Sequence, residues 1–125
     1  MESIRKYIID IFESNPNRYF KKYFIYNIYC KIKEGNINIS DIYTCLNEFE
    51  CYLYVNGQKA ETAVEFGLLL RQNRKLLNIT RLNLLTEKNI SFTIINKIES
   101  GKNCKKSSLD NYIKSFPNLK IEIKR

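Results

Sequence analysis

The chain has no histidine and no tryptophan, only four glycines and two prolines, and its four cysteines form no CxxC pair. Without histidine, the commonest general base at neutral pH is missing, and a cysteine nucleophile would need another activating group. There is no glycine-rich phosphate loop and no local pair of carboxylates set for acid–base work. These absences point away from an enzyme and away from a cofactor. A zinc site would have to gather Cys30, Cys45, Cys51 and Cys104 from distant segments, so no metal is expected. Reduced, partly buried thiols are the simpler reading. No apolar run reaches the length of a membrane span, and no secretory core follows Met1-Glu2-Ser3-Ile4-Arg5. The expectation is a cytoplasmic protein with no membrane partner.

What is present is apolar content and uneven positive charge. At 125 residues and 44% apolar, the chain can bury a core, as one domain or one with an attached subdomain. Net charge is +8. Residues 1–60 carry eight Lys/Arg against seven Asp/Glu, whereas residues 61–125 carry thirteen against six. The second half therefore suits a polyanion, through counterion release. The plainer alternative is that the lysines only keep the protein soluble.

Residues 3–14 place Ile4, Tyr7, Ile8, Ile11 and Phe12 at helical spacing, and Asn15-Pro16-Asn17 ends that helix. Residues 18–34 are rich in aromatics: Tyr19, Phe20, Tyr23, Phe24, Tyr26 and Tyr29. They read as one helix buried on more than one side, although the aromatic and β-branched content leaves a strand open. Arg18, Lys21, Lys22, Lys31 and Lys33 interleave with the rings, a mixture able to stack single-stranded nucleic acid. The helical spacing of the rings favours a core with a solvated basic edge instead.

After the break at Glu34-Gly35-Asn36, Ser40 is expected to cap a helix with Ile42, Cys45, Leu46 and Phe49 on one face. Residues 51–55 read as a short strand, Asn56-Gly57 as a hairpin turn, and residues 58–61 as a short return. Three helices and a β-turn also sketch a winged helix. The near-neutral charge of this half weighs against a second DNA reader and for a dimerisation or partner-docking subdomain.

The stretch from Phe66 to Gly101 is the most informative. An amphipathic helix over 62–78 places Phe66, Leu70, Arg74 and Leu77 on one face. Val64 and Leu68 lie on the other side and are expected to pack against the first sixty residues. Thr80 caps a second helix with Leu84 and Leu85 as its apolar pair, and Asn89 breaks the chain. Ser91 then caps a third helix, 91–99, with Ile90, Ile95 and Ile98 facing inward. Helix, tight turn, helix is the geometry that presents its second helix to a DNA major groove.

The run Arg74…Ile79-Thr80-Arg81…Leu84…Asn89-Ile90-Ser91…Ile95…Ile98-Glu99-x-Gly101-Lys102 resembles the Cro/phage-repressor (Xre-type) helix-turn-helix family, over residues 62–116. The resemblance implies a lambda-repressor-like fold and a structural ion pair, Arg74 with Glu99. It also implies that Phe92, Thr93, Asn96 and Lys97 are the outward positions that meet bases. Asn pairs with adenine, Thr and Phe contact a thymine methyl, and Lys reaches guanine or phosphate. Arg81 and Ser91, at helix N-termini, would donate to phosphates. Lys102, followed by Lys105 and Lys106, would form a mobile basic clamp.

Three positions depart from the pattern. Leu85 replaces a usual Ala, which implies a wider crossing or a shifted helix. Asn89 replaces a common Gly but tolerates positive φ. Arg81 replaces a common Gln and still donates to phosphate. Phe92 and Ile94 are unusually apolar for a groove surface, which leaves a protein-binding role open.

Ser107 and Asp110 have capping-box spacing at the start of a last helix, 107–116, with Leu109, Tyr112, Ile113 and Phe116 at helical spacing. Residues 119–124 alternate as a half-exposed strand after Pro117. Such a strand needs a partner, either the 51–55 strand or its copy in a second subunit. Some antitoxins and small regulators resembling this family dimerise through such a strand. The expected molecule is mainly α, with a helical N-terminal subdomain at 1–59 and a repressor-like DNA-binding domain with a C-terminal strand at 60–125. Its expected function is that of a dimeric transcriptional regulator, an autorepressor, on double-stranded DNA. The alternative is an antitoxin or other interaction module, whose N-terminal region docks a toxin-like protein.

Overall fold

The computed structural model describes residues 2–36 and 38–125. Among them the chain is mainly helical, with eight helices and a small antiparallel sheet. Among the described residues no helix is long and apolar enough to cross a membrane.

Helix α1 (Glu2–Ser14) buries Ile4, Ile8 and Phe12, one residue per turn. The expected single aromatic helix is two. Pro16 opens a short α2 (Pro16–Tyr19), the chain turns through residues 20–22, and α3 (Tyr23–Lys33) follows. Pro16 thus both ends α1 and starts α2, because a proline fits a first helical position where no N–H is needed. Helix α3 buries Ile25, Ile28, Tyr29 and Ile32 on one face only. Tyr23, Phe24 and Tyr26 are exposed, so this is not a helix buried on several sides.

Helix α4 (Ile39–Phe49) starts earlier than expected. Asn38, not Ser40, is its cap: the Asn38 Oδ1 accepts from the Asp41 N–H at 3.0 Å. An amide oxygen on a short side chain serves as well as a hydroxyl there. The Ser40 hydroxyl donates to the same Oδ1 at 2.8 Å.

Strand β1 (Tyr52–Val55) turns at Asn56-Gly57 into β2 (Gln58–Ala60), with Leu53 opposite Ala60 and Val55 opposite Gln58. The terminal strand β3 (Ile121–Lys124) pairs with the other edge of β1, Tyr52 opposite Lys124 and Val55 opposite Ile121. Of the two partners open to the terminal strand, it uses the one in its own chain. The sheet order β2-β1-β3 ties the middle of the sequence to its C-terminal segment.

Helices α5 (Ala63–Leu76), α6 (Arg81–Lys88), α7 (Phe92–Glu99) and α8 (Lys106–Lys114) complete the fold. Helix α5 packs on α4, β1 and β2 as well as on α7, so one hydrophobic cluster runs from Ile4 to Phe116. Asn73 is buried among polar partners. Its Oδ1 accepts from the Asn56 amide at 3.2 Å and the Asn118 amide at 2.8 Å, joining the hairpin turn, α5 and the approach to β3.

Three expectations for this half fail. Val64 and Leu68 are not covered; they stand 64% and 46% exposed. Helix α5 meets its neighbours instead through the buried Phe66, Gly67, Leu70, Asn73 and Arg74. Leu77 is also exposed, because α5 ends at Leu76 and the chain turns through a left-handed Asn78 (φ 56°). Helix α8 begins at Lys106 after Lys105, with no side-chain cap bond, so the Ser107–Asp110 box is not used.

Candidate nucleic-acid interface

The α6–α7 unit is built from local hydrogen bonds. The Asn83 N–H donates to Thr80 Oγ1 at 3.1 Å, and the Thr80 N–H donates to Asn83 Oδ1 at 2.9 Å. This reciprocal pair fixes the start of α6. Asn89 takes the left-handed conformation (φ 56°), and the Ile90 N–H donates to the Leu84 carbonyl at 3.1 Å. Asparagine therefore serves where glycine is the usual choice. The Ser91 Oγ accepts from the Ile94 N–H at 3.2 Å and sets the first turn of α7, leaving its own proton to donate elsewhere.

Helix α7 is anchored from below by Ile90, Ile95 and Ile98. Its C-terminal end lies against α5 backbone to backbone. A Cβ on Gly67 would come within 2.6 Å of the Gly101 nitrogen and 2.7 Å of the Ile98 carbonyl oxygen. A Cβ on Gly101, already at φ +76°, would collide with the Ala63 backbone. Both positions require glycine for close approach.

The Arg74–Glu99 pair forms as the resemblance implies. Arg74 Nε donates to Glu99 Oε2 at 2.7 Å and Nη2 to Oε1 at 2.9 Å. The side chains are 7% and 4% exposed. Nη1 donates to the Ile79 carbonyl at 3.0 Å, just before α6, and the Tyr112 hydroxyl of α8 donates to Glu99 Oε2 at 2.6 Å. One guanidinium and one carboxylate thus join α5, the α5–α6 turn, α7 and α8. The hydrogen bonds it donates to Glu99 hold the Arg74 guanidinium more firmly protonated than usual. Burial, then the Glu99 carboxylate, raises the Tyr112 phenol. Periodicity read Tyr112 as core, and its hydroxyl's role carried no sequence signal. Gly67 carries no sequence signal either, because a helical glycine reveals its reason only when the crossing helix is in place.

Of the contact residues expected from the sequence, Phe92, Thr93, Asn96 and Lys97 are all exposed on α7, and Ile94 is half-buried. Arg81 is exposed at the start of α6, and Lys102 follows α7. Lys97 lies near the following loop, where its charge lowers the Cys104 thiol while burial raises it more. Lys106 is not in that loop; it opens α8. Leu84 alone of the apolar pair is buried, and Leu85 is exposed, so its bulk is taken up at the surface.

Charge around the unit is one-sided. From Arg71 to Lys105 there are eight Lys/Arg and two Asp/Glu, and the buried Arg74–Glu99 pair removes one of each. Seven cations then outnumber a single carboxylate, Glu87. Such a surface concentrates anions and steers them to its exposed helix.

In comparisons with protein-family models, with curated proteins and with solved structures, nothing matches this chain.

Proposed function

We propose that the chain is a sequence-specific, dimeric DNA-binding regulator, a repressor of the lambda-repressor-like, Xre type that reads the major groove with α7. The observation that carries this reading is the bidentate Arg74–Glu99 pair. It ties α7 rigidly to α5 while Phe92, Thr93, Asn96 and Lys97 stay exposed in a stretch where Lys and Arg outnumber Asp and Glu. A reading helix must be held on one side and bare on the other. Asn96 pairs with adenine, Thr93 and Phe92 meet thymine methyls, Lys97 reaches guanine or phosphate, and Arg81, Ser91 and Lys102 hold the backbone. A second copy supplies the other half-site, about 34 Å away. The outer edge of β3, which β1 leaves unpaired, is a route to that copy.

Asn96→Ala and Lys102→Ala separate base reading from backbone holding. On the best duplex recovered from a random-sequence selection, Asn96→Ala should cost about 1–3 kcal/mol and relax preference at one base pair. Lys102→Ala should weaken all duplexes alike and reduce the salt slope by about one. An unchanged preference in the first variant, or a sequence-selective loss in the second, would count against these roles.

A second reading rests on the exposed Leu82, Leu85 and Phe92. Apolar side chains beside a groove-reading helix also suit a protein surface. An antitoxin-like module bound to a toxin-like partner would use them, with DNA contact secondary or lost.

A further inference from the structure

Tyr23, Phe24 and Tyr26 stand in solvent at the start of α3, 78%, 55% and 42% exposed. At 100° per residue the three rings fan over roughly 160° of the helix, on the side away from Ile25, Ile28 and Ile32. Rings grouped in water on a small protein mark a docking surface. Their surroundings indicate the occupant. From Pro16 to Lys33 the sequence has five cations (Arg18, Lys21, Lys22, Lys31 and Lys33) and no carboxylate. Lys22 reaches Glu48 at 3.1 Å and Lys33 reaches Glu13 at 3.7 Å, both across to other helices. Lys31 shares an exposed row with Phe24 and Asn27. With Lys105, Lys106 and the carboxylate of Asp41 it also lines a recess of about 380 Å³, which brings α3 beside the segment after α7 with three cations to one carboxylate. Tyr26 is braced rather than loose. It stacks on Tyr29 (6.0 Å, 23°) and meets Phe20 edge-on (5.3 Å), which in turn stacks on Phe12.

We propose that this face of α3 binds a single strand of nucleic acid, with Tyr23 and Phe24 stacking on bases while Lys21 and Lys31 follow the phosphates. The cation run without carboxylates calls for a polyanion rather than an apolar peptide. Projecting rings call for unpaired bases, because bases in a duplex are already stacked on one another. The surface shares no residue with the outward face of α7 and does not depend on duplex reading.

The test is fluorescence anisotropy of a labelled oligothymidylate, about fifteen nucleotides long, with the full chain at low salt. Tyr23→Ala with Phe24→Ala should weaken binding by about 10- to 100-fold, and Tyr23→Phe should restore the part due to that ring. The same double variant should bind an abasic strand as the wild type does. Lys21→Ala with Lys31→Ala should weaken both strands. Asn96→Ala with Lys97→Ala should leave oligothymidylate binding unchanged, which separates this surface from the duplex-reading one. Both ring positions are solvent-exposed, so an unchanged melting temperature checks that the fold is intact. Equal binding by wild type and double variant, an equal loss on the abasic strand, or competition by duplex as effective as by single strand would overturn the proposal. So would a wild type that ignores the strand, and the rings would then belong to a protein partner.

Discussion

Arg74 and Glu99 are both withdrawn from water, so neither side chain can be neutralised without leaving the other as a buried, unpaired charge. Glu99→Gln should therefore cost about 3–5 kcal/mol in denaturant unfolding, although it removes no volume. Arg74→Met combined with Glu99→Leu should cost less than the single change, because no charge is stranded. A single variant within about 1 kcal/mol of wild type would mean that the pair does not lock the helices. Tyr112 gives this cluster a pH signature. Its phenol is raised above the ordinary value by burial and by Glu99, so folding favours the protonated form. That contribution is whole below the unfolded phenol value of about 10 and is lost as the pH rises past it. Melting temperature should fall more steeply above that pH in the wild type than in Tyr112→Phe; parallel curves would contradict the coupling. Cys45, at the opposite pole of reactivity from a catalytic thiol, is fully buried and pushed up to about 12 by that burial.

At the scale of elements, caps and stops account for most of what the sequence made legible. Thr80, Ser91 and the left-handed Asn89 act where short polar side chains imply. Helices α3, α4, α5 and α7 all end on a left-handed residue: Gly35, Glu50, Asn78 and Gly101. The N–H after each donates to the carbonyl five residues back. Where several residues compete for one role, local chemistry does not choose. Asn38 and Ser40 are both good caps, and only the helix start decides between them. The crossing of α5 and α7 was hidden for a different reason, since it depends on two glycines thirty-four positions apart in the chain. Gly67→Ala puts a methyl against backbone that cannot rotate away, and should cost about 1–3 kcal/mol. It should also weaken duplex binding by displacing the end of α7. A neutral Gly67→Ala would show that the crossing can open without loss.

For the molecule as a whole, the charge asymmetry and the mainly helical class with a small sheet were readable from composition and periodicity. Which apolar faces are covered was not. Val64, Leu68, Tyr23 and Phe24 are apolar at helical spacing, and the sequence gives no sign that they stand exposed. The interface likewise divides. The exposure of Phe92, Thr93, Asn96 and Lys97 follows from helical phase, whereas the four-element cluster at Glu99 needed the fold to assemble it. The most direct measurement is selection of purified full-length protein on a random genomic-fragment library, then titration of the best fragment across salt. A near-palindromic site whose affinity falls steeply with salt is the expected result. Salt-sensitive binding with no enriched sequence would reduce the surface to a basic patch, and no binding even at low salt would contradict the DNA-reading role outright.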